Sequence, residues 1–302
     1  MTSVRRVGPE AADEVLAVVR EAFGSRPQLD PPADALSDTP DSIAAALAHG
    51  GGLIVEVDGH AAGALLLDPQ GDTTFLRRVG VLHEHRHSGV ASTLVRAALE
   101  AAAGAGRVVV LAREELPATV EFWVHQGFTE VARDAPYVRL ERAGVLAYDV
   151  PDAEAMRDLG RDLATRLRAG DLVVLTGGLG AGKTTLSQGI GAGLRVRGDI
   201  TSPTFVIARV HPSLVDGPSL VHVDAYRLGG IDELDDLDLE ASLEDAVTLV
   251  EWGAGLAEGL AQSRLEVRIA RAEGAETTEH LDPRRVYVGG VGARWLTAGS
   301  DG

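Results

Sequence analysis

Apolar positions along the chain recur with two different periods, and each change of period marks an element. Val15, Leu16, Val19 and Phe23 return at helical spacing, so residues 5–23 read as a strand followed by an amphipathic helix. A Pro- and Asp-rich loop is expected over 26–41. Two extended runs, 52–57 and 61–67, flank Asp58-Gly59, a dipeptide suited to a tight hairpin turn. Then come a strand at 73–81, a helix at 90–103, a strand at 108–111, a short helix through Phe122 and Trp123, and a strand at 137–140. The pattern restarts after Arg142-Ala143-Gly144. A strand at 145–150 precedes a helix that Pro151-Asp152 opens and that carries Met156, Leu159, Leu163 and Leu167 on one face. The short continuous apolar run 172–176 has the character of a buried parallel strand, and 206–210, 220–223, 247–250 and 265–269 read as further buried strands. The expected division is 1–144, 145–290 and a loose tail at 291–302.

A chain of 302 residues is long enough for two domains with independent cores. With no cysteine, no bilayer-length apolar run and no basic-apolar leader at its start, it reads as cytoplasmic and free of membranes. A formal net charge of −17 disfavours unaided binding to DNA or RNA, since phosphate contacts need clustered cations. Two absences add more. Asparagine does not occur, and Lys183 is the sole lysine, every other fixed cation being arginine. Lys and Asn codons are AT-rich, so a GC-rich coding bias accounts for both, and Lys183 marks a place where arginine does not serve.

That lysine lies in Gly177-Gly178-Leu179-Gly180-Ala181-Gly182-Lys183-Thr184, a phosphate-binding P-loop. A strand precedes it and a helix follows, so the free N–H groups and positive end of the helix point at the phosphates. Lys183 should bridge the β- and γ-phosphates, and the Thr184 hydroxyl should ligate Mg²⁺. Carboxylates at neighbouring strand ends would complete the metal site, and Asp224 and Glu251 each end an apolar run, where the alternative is that they merely cap strands. Guanine recognition by an Asn-Lys-x-Asp element is excluded without asparagine, which favours ATP.

Five motifs occur in one order: Gly177 to Thr185, Thr201-Ser202-Pro203-Thr204-Phe205, His222-Val223-Asp224-Ala225-Tyr226-Arg227-Leu228, an acidic stretch from Asp232 to Glu240, and Leu249-Val250-Glu251-Trp252. Over about 145–288 the chain thereby resembles the TsaE (YjeE) family, the small ATPases of bacterial tRNA threonylcarbamoyladenosine synthesis. The resemblance implies ATP bound by Leu179, Gly180, Ala181, Gly182, Lys183, Thr184, Thr185 and Asp224. It implies Mg²⁺ on Thr184 and Glu251, catalysis by Lys183, Asp224 and Glu251, and a mobile switch at Ser202, Pro203 and Thr204. It also implies two partner proteins, TsaB and TsaD, through which tRNA would be reached. Gly178 stands where the family usually has Asp, and Glu276 where it has a late arginine. The acidic run at Asp232, Glu233, Asp235, Asp236 and Asp238 reads equally as a solvated helix face or a partner-docking surface.

In the first half, Val79 to Ala91 joins a strand end to an Arg-x-x-Gly-x-Ala loop and a helix, and Glu121-Phe122-Trp123 leads into a Gly127-Phe128 turn. These pieces resemble the GNAT acetyltransferase fold over about 4–141. The expected class is therefore α/β in two domains, a GNAT-like mixed sheet with helices followed by a P-loop NTPase parallel-sheet domain. The resemblance implies acetyl-CoA held by Val81, Arg86, Gly89, Val90, Ala91 and Ser92. Trp123 stands where such enzymes commonly carry a tyrosine acid, with Glu84 as a conceivable helping carboxylate. His83-Glu84-x-x-His87 also matches a zinc-protease pattern. That chemistry needs both histidines on one helix face, and Ser88-Gly89 interrupts any helix there.

Two other readings use the same loop: a small-molecule kinase, which should show an Arg-rich lid and an acceptor pocket, and a module that senses nucleotide and acyl-CoA without turnover. The lone lysine supplies a test of the phosphate site itself. Lys183→Arg should cut ATP turnover about a hundredfold, about 3 kcal/mol, nearly as far as Lys183→Ala, because a guanidinium is too broad for the ammonium's place. Steady-state phosphate release at saturating ATP measures it. Retention of more than about a third of wild-type turnover, a loss well under the 1.4 kcal/mol of a tenfold change, would contradict the argument.

Overall fold

The chain builds two sheets, each seven-stranded among the described residues, in a computed structural model that describes 1–201, 208–225, 244–252, 261, 263–271 and 283–296. Two compact units carry them, Met1–Val145 and Leu146–Gly302.

In the first unit the strands are β1 (Thr2–Val7), β2 (Gly52–Val57), β3 (His60–Gln70), β4 (Thr73–Val81), β5 (Arg107–Arg113), β6 (Thr129–Asp134) and β7 (Tyr137–Ala143), in the order β1-β2-β3-β4-β5-β7-β6. Asp58 (φ 52°) and Gly59 (φ 83°) make the tight turn between β2 and β3 that the dipeptide foretells. Helices α1 (Ala12–Gly24) and α2 (Pro40–Gly50) pack on β3, as does α3 (Val90–Ala101), while α4 (Pro117–His125) packs on β5. Cover on both faces explains why β3 is continuously buried from Ala62 to Leu67 rather than alternating. All neighbours pair antiparallel except β4 and β5, which run parallel and pair only from Thr73–Arg107 to Phe75–Val109. Beyond Phe75 and Val109 the two strands part, and the gap between them is the unit's cleft.

The second unit orders its strands β10-β11-β12-β9-β13-β14-β8, where β8 is Val145–Val150, β9 Leu172–Thr176, β10 Ala208–His211, β11 Ser219–Asp224, β12 Ala246–Glu251, β13 Arg264–Arg271 and β14 Arg284–Val291. The expected parallel sheet is present as β11-β12-β9-β13, with β10 and β14 added antiparallel. Thus both sheets are mixed, and the class is α/β as the sequence indicates. Helix α5 (Ala153–Ala164), capped by the Asp152 carboxylate accepting from the Ala155 N–H at 2.8 Å, lies against α6 (Lys183–Gly193).

Several expectations change. The loop over 26–41 contains a 3₁₀ turn at Asp34–Ser37 and ends in α2, started by a reciprocal capping box between Thr39 and Ser42 with Pro40 in the first turn. Strand β10 is not fully buried: it lies at the sheet edge with Val210 57% exposed, so Val210 does not report a core position. Strands β6 and β14 were not foreseen; β6 is exposed almost throughout and lacks an alternating pattern. The segment from 291 does not hang loose where it is described. Ala293–Leu296 is helical, Trp295 is buried, and the Arg294 Nε donates to Asp171 at 2.5 Å. The zinc-protease pattern is no helix: His83–His85 is a single 3₁₀ turn and His87 has φ 61°.

Helices α5 and α6 meet backbone to backbone. A Cβ on Gly160 would stand 2.5 Å from the Leu186 carbonyl oxygen, and one on Gly189 would overlap the carbonyl of Arg157. Alanine is the better helix former by about 1 kcal/mol, yet Gly189→Ala should lower stability by about 1–3 kcal/mol through overpacking. Denaturant unfolding of the full chain, followed at the second unit's transition, reads the sign; unchanged or raised stability would refute the close approach.

Candidate functional site

Strand β9 ends at Thr176, and the loop that follows returns as α6 from Lys183. Gly182, the residue before the helix, has φ 108°, a left-handed turn that aims the first amides of α6 back across the loop. Gly177 approaches β13 so closely that a Cβ would stand 2.7 Å from the Ile269 carbonyl oxygen. At Gly178 an added side chain would meet nothing within 4 Å, so glycine in that position costs the loop no contact. The Lys183 ammonium is folded back on its own loop, donating to the carbonyls of Gly177 at 2.9 Å and Gly178 at 3.1 Å, and lies 3.6 Å from the centre of the Trp252 ring. Burial pulls its pKa below the usual lysine range; the charges of Glu251 and Asp224 oppose that pull.

Beneath this turn sits Glu251, 2% exposed, at the end of β12. Its Oε1 accepts from the Ser187 hydroxyl at 3.1 Å and from His222 Nε2 at 2.9 Å, and its Oε2 accepts from the Thr184 hydroxyl at 3.3 Å. A carboxylate can only accept, so His222 carries a proton on Nε2, and its buried Nδ1 has no hydrogen-bond partner among the described residues. One oxygen is thus spent on neighbours, while the other faces a threonine hydroxyl at the head of α6. This oxygen pair suits a hard divalent cation such as Mg²⁺. Register places Asp224 of β11 directly beside Glu251, so two carboxylates flank the lysine. On the remaining side Arg284 of β14, itself buried, donates to the carbonyls of Ala181 at 3.1 Å and Gly180 at 3.3 Å and braces the loop from below.

The cleft of the first unit, about 770 Å³, opens where β4 and β5 part. Val81, Arg86, Gly89, Ala91 and Ser92 line it, whereas Val90 turns its side chain into the core at 3% exposure. Gly89 (φ 83°) starts α3 as Gly182 starts α6, so a second helix presents free amides to a hollow. Trp123 lies at the cleft wall, its ring edge-on to Phe122 and Phe128 at 5.2 and 5.1 Å. Tyr137, the one tyrosine of this unit, lines the same cleft. The Glu84 side chain is outside it, 74% exposed and 3.5 Å from His85.

Residues 150–280 match the family described as Threonylcarbamoyl adenosine biosynthesis protein TsaE. The tRNA threonylcarbamoyladenosine biosynthesis protein TsaE of Streptomyces coelicolor is 65% identical over 144 residues, covering 47% of this chain and 95% of that protein. The chain belongs to the TsaE family. The protein of that name from Mycobacterium tuberculosis is 48% identical over 155 residues, 49% of this chain and 92% of its own. Residues 16–128 match the Acetyltransferase (GNAT) family, so this TsaE chain carries a GNAT domain at its N-terminus. Among solved structures, Bacillus subtilis YdiB is 31% identical with a TM-score of 0.40, covering 50% of this chain and 88% of that one. The PaiA N-acetyltransferase of Thermoplasma acidophilum, in complex with coenzyme A, is 14% identical with a TM-score of 0.43, covering 47% and 99%.

Of the residues singled out in the TsaE half, the structure brings together Lys183, Thr184, Asp224 and Glu251 around one turn. Leu179 stands at the crest of the loop, 91% exposed. Ser202, Pro203 and Thr204, the acidic run at 232–240 and Glu276 lie outside the described residues. The sequence pointed to His222 and Trp252 only as motif members, and gave no hint of Ser187 or Arg284. A signal for Ser187 does exist: it falls four residues after Lys183, one helical turn along the face that overlies β12. Among the described residues no helix is long and apolar enough to cross a membrane.

With the ammonium held against the indole, occupation of the loop by ATP-Mg²⁺ should draw Lys183 away and change Trp252 emission. In a background with Trp123 and Trp295 replaced by Phe, Glu251→Gln should weaken the Mg²⁺ dependence of that change by at least tenfold. An unaltered Mg²⁺ titration would remove Glu251 from the metal's surroundings.

Proposed function

We propose that the TsaE unit binds ATP with Mg²⁺ and hydrolyses it in the synthesis of threonylcarbamoyladenosine on tRNA, acting with TsaB and TsaD, and that the GNAT unit binds acetyl-CoA. The observation that carries the first reading is the convergence of Lys183 and Thr184, at the head of α6, with Glu251 and Asp224 at two adjacent strand ends. Amides of residues 179–185 would wrap the phosphates, and Lys183 would exchange the carbonyls of Gly177 and Gly178 for phosphate oxygens. Thr184 and the Glu251 Oε2, whose one hydrogen bond comes from the Thr184 hydroxyl, are the groups that would hold Mg²⁺, which would supply charge neutralisation on the phosphates. Asp224, in register with Glu251, supplies the second carboxylate on the nucleotide side. Water then attacks the γ-phosphorus and ADP departs with inorganic phosphate. Arg284 is engaged by backbone carbonyls under the loop and is not poised as a finger onto the phosphates, which supports acceleration by a partner. A net charge of −17 supports the same division of labour, with tRNA held by the partners.

In the GNAT unit, the parting of β4 from β5 beside the amides at the start of α3 supports a coenzyme site. An indole cannot protonate a departing thiolate, and Tyr137, the phenol that lines the cleft, would be the candidate to do so. The second reading is acyl transfer to an amine by this route.

Phosphate release by the full chain, with and without TsaB and TsaD, tests the leading reading. Slow turnover alone and at least a tenfold rise with both partners is the expected outcome; equal rates would refute the division of labour.

A further inference from the structure

The cleft of the GNAT unit is cationic on a chain that is strongly anionic. Five arginines line it, Arg26, Arg77, Arg78, Arg86 and Arg113, against a single carboxylate, Asp34. Three of the five are answered by carboxylates: Arg77 by Asp68 at 3.2 Å, Arg78 by Asp38 at 2.6 Å and Arg113 by Glu115 at 2.6 Å. Arg26 and Arg86 have no such partner among the described residues. Arg26 donates to the Val79 carbonyl at 3.2 Å and stacks on the Phe23 ring at 3.8 Å, while Arg86 donates to the Ser25 hydroxyl at 2.5 Å and the Ala22 carbonyl at 3.4 Å. Burial, and then the charge of Arg86, bring the Arg26 pKa down to about 10.

Two guanidinium groups from different loops are therefore held near one another at a cleft wall, and neither is paired with a carboxylate among the described residues. Like charges brought together in a half-buried site cost free energy, and a shared anion recovers it with charge-assisted hydrogen bonds. The partners of Arg86 also say where the site lies. Its guanidinium, which the resemblance assigns to acetyl-CoA, is instead tied to the end of α1 and not to the first turn of α3, where the amides after Gly89 form a separate cradle.

We propose that Arg26 and Arg86 form a receptor for a carboxylate or phosphate group of the acyl acceptor, so that the acceptor is an amine bearing an acidic group. This rests on reading the cleft as an acyl-CoA site. The phosphates of the coenzyme offer the same chemistry, and the experiment separates the two sources.

The full chain is titrated calorimetrically with acetyl-CoA, and then, both free and saturated with CoA, with inorganic phosphate and with succinate. The CoA-saturated wild type should bind at least one of these anions, and Arg26→Gln should weaken that binding at least tenfold while changing acetyl-CoA affinity less than threefold. Arg26→Lys, which keeps the charge, should recover part of the loss, and its recovery shows that the cleft is intact. A tenfold loss of acetyl-CoA affinity in Arg26→Gln would overturn the proposal by assigning the pair to the coenzyme. Equal anion affinity in wild type and Arg26→Gln, or no anion binding by the wild type in either state, would overturn it as well. Anion binding that depends on Arg26 in a chain that takes no acetyl-CoA would sink the acyl-CoA reading and leave the anion receptor standing.

Discussion

A carboxylate removed from water must find donors for its oxygens, and in the TsaE unit that requirement falls on Glu251. Three side chains meet it: Thr184 and Ser187 from α6 and His222 from β11. The bonds fix the helix over the strand ends, and with the helix they fix the turn that leads into it. Loss of any donor would leave a buried charge short of a partner, at a cost of about 1–3 kcal/mol. The glycines of α5 and α6 serve the same end by another means. By letting the two backbones approach, they hold α6 from its outer side while Glu251 holds it from below.

Much of this is legible in the sequence. The phosphate loop declares itself because its glycines answer to backbone geometry and its lysine to charge size, and both constraints act on single residues. Parallel strands such as Leu172–Thr176 declare themselves as continuous apolar runs, since cover on both faces leaves no polar phase. Edge strands obey no such rule. Strand β6 has exposed residues on both faces and β10 carries an exposed Val210, so local pattern misjudged one and missed the other. Arg284 was hidden for a related reason: its task is to donate to carbonyls about a hundred residues away, and nothing near it in sequence reflects that.

In the GNAT unit the informative feature is a pairing that stops. Strands β4 and β5 share only three registered residues, and the positions beyond them line a cleft. A register cannot be seen in one strand alone, so the sequence could indicate the loop Arg86 to Ala91 but not the arginine facing it from the end of α1. Trp123, expected at a chemical position, is instead a wall element packed between two phenylalanines.

The place of Lys183 bears on any anion that enters the loop. Its ammonium already has two carbonyl bonds and an aromatic face, so a phosphate ligand entering the loop would have to outbid an internal occupant. The lysine acts as a tethered competitor whose local concentration never falls. On the proposed reading, a polyphosphate that also brought Mg²⁺ onto Thr184 and Glu251 would displace it, whereas a lone phosphate would gain too little, so self-occupation would filter ligands by their number of simultaneous contacts.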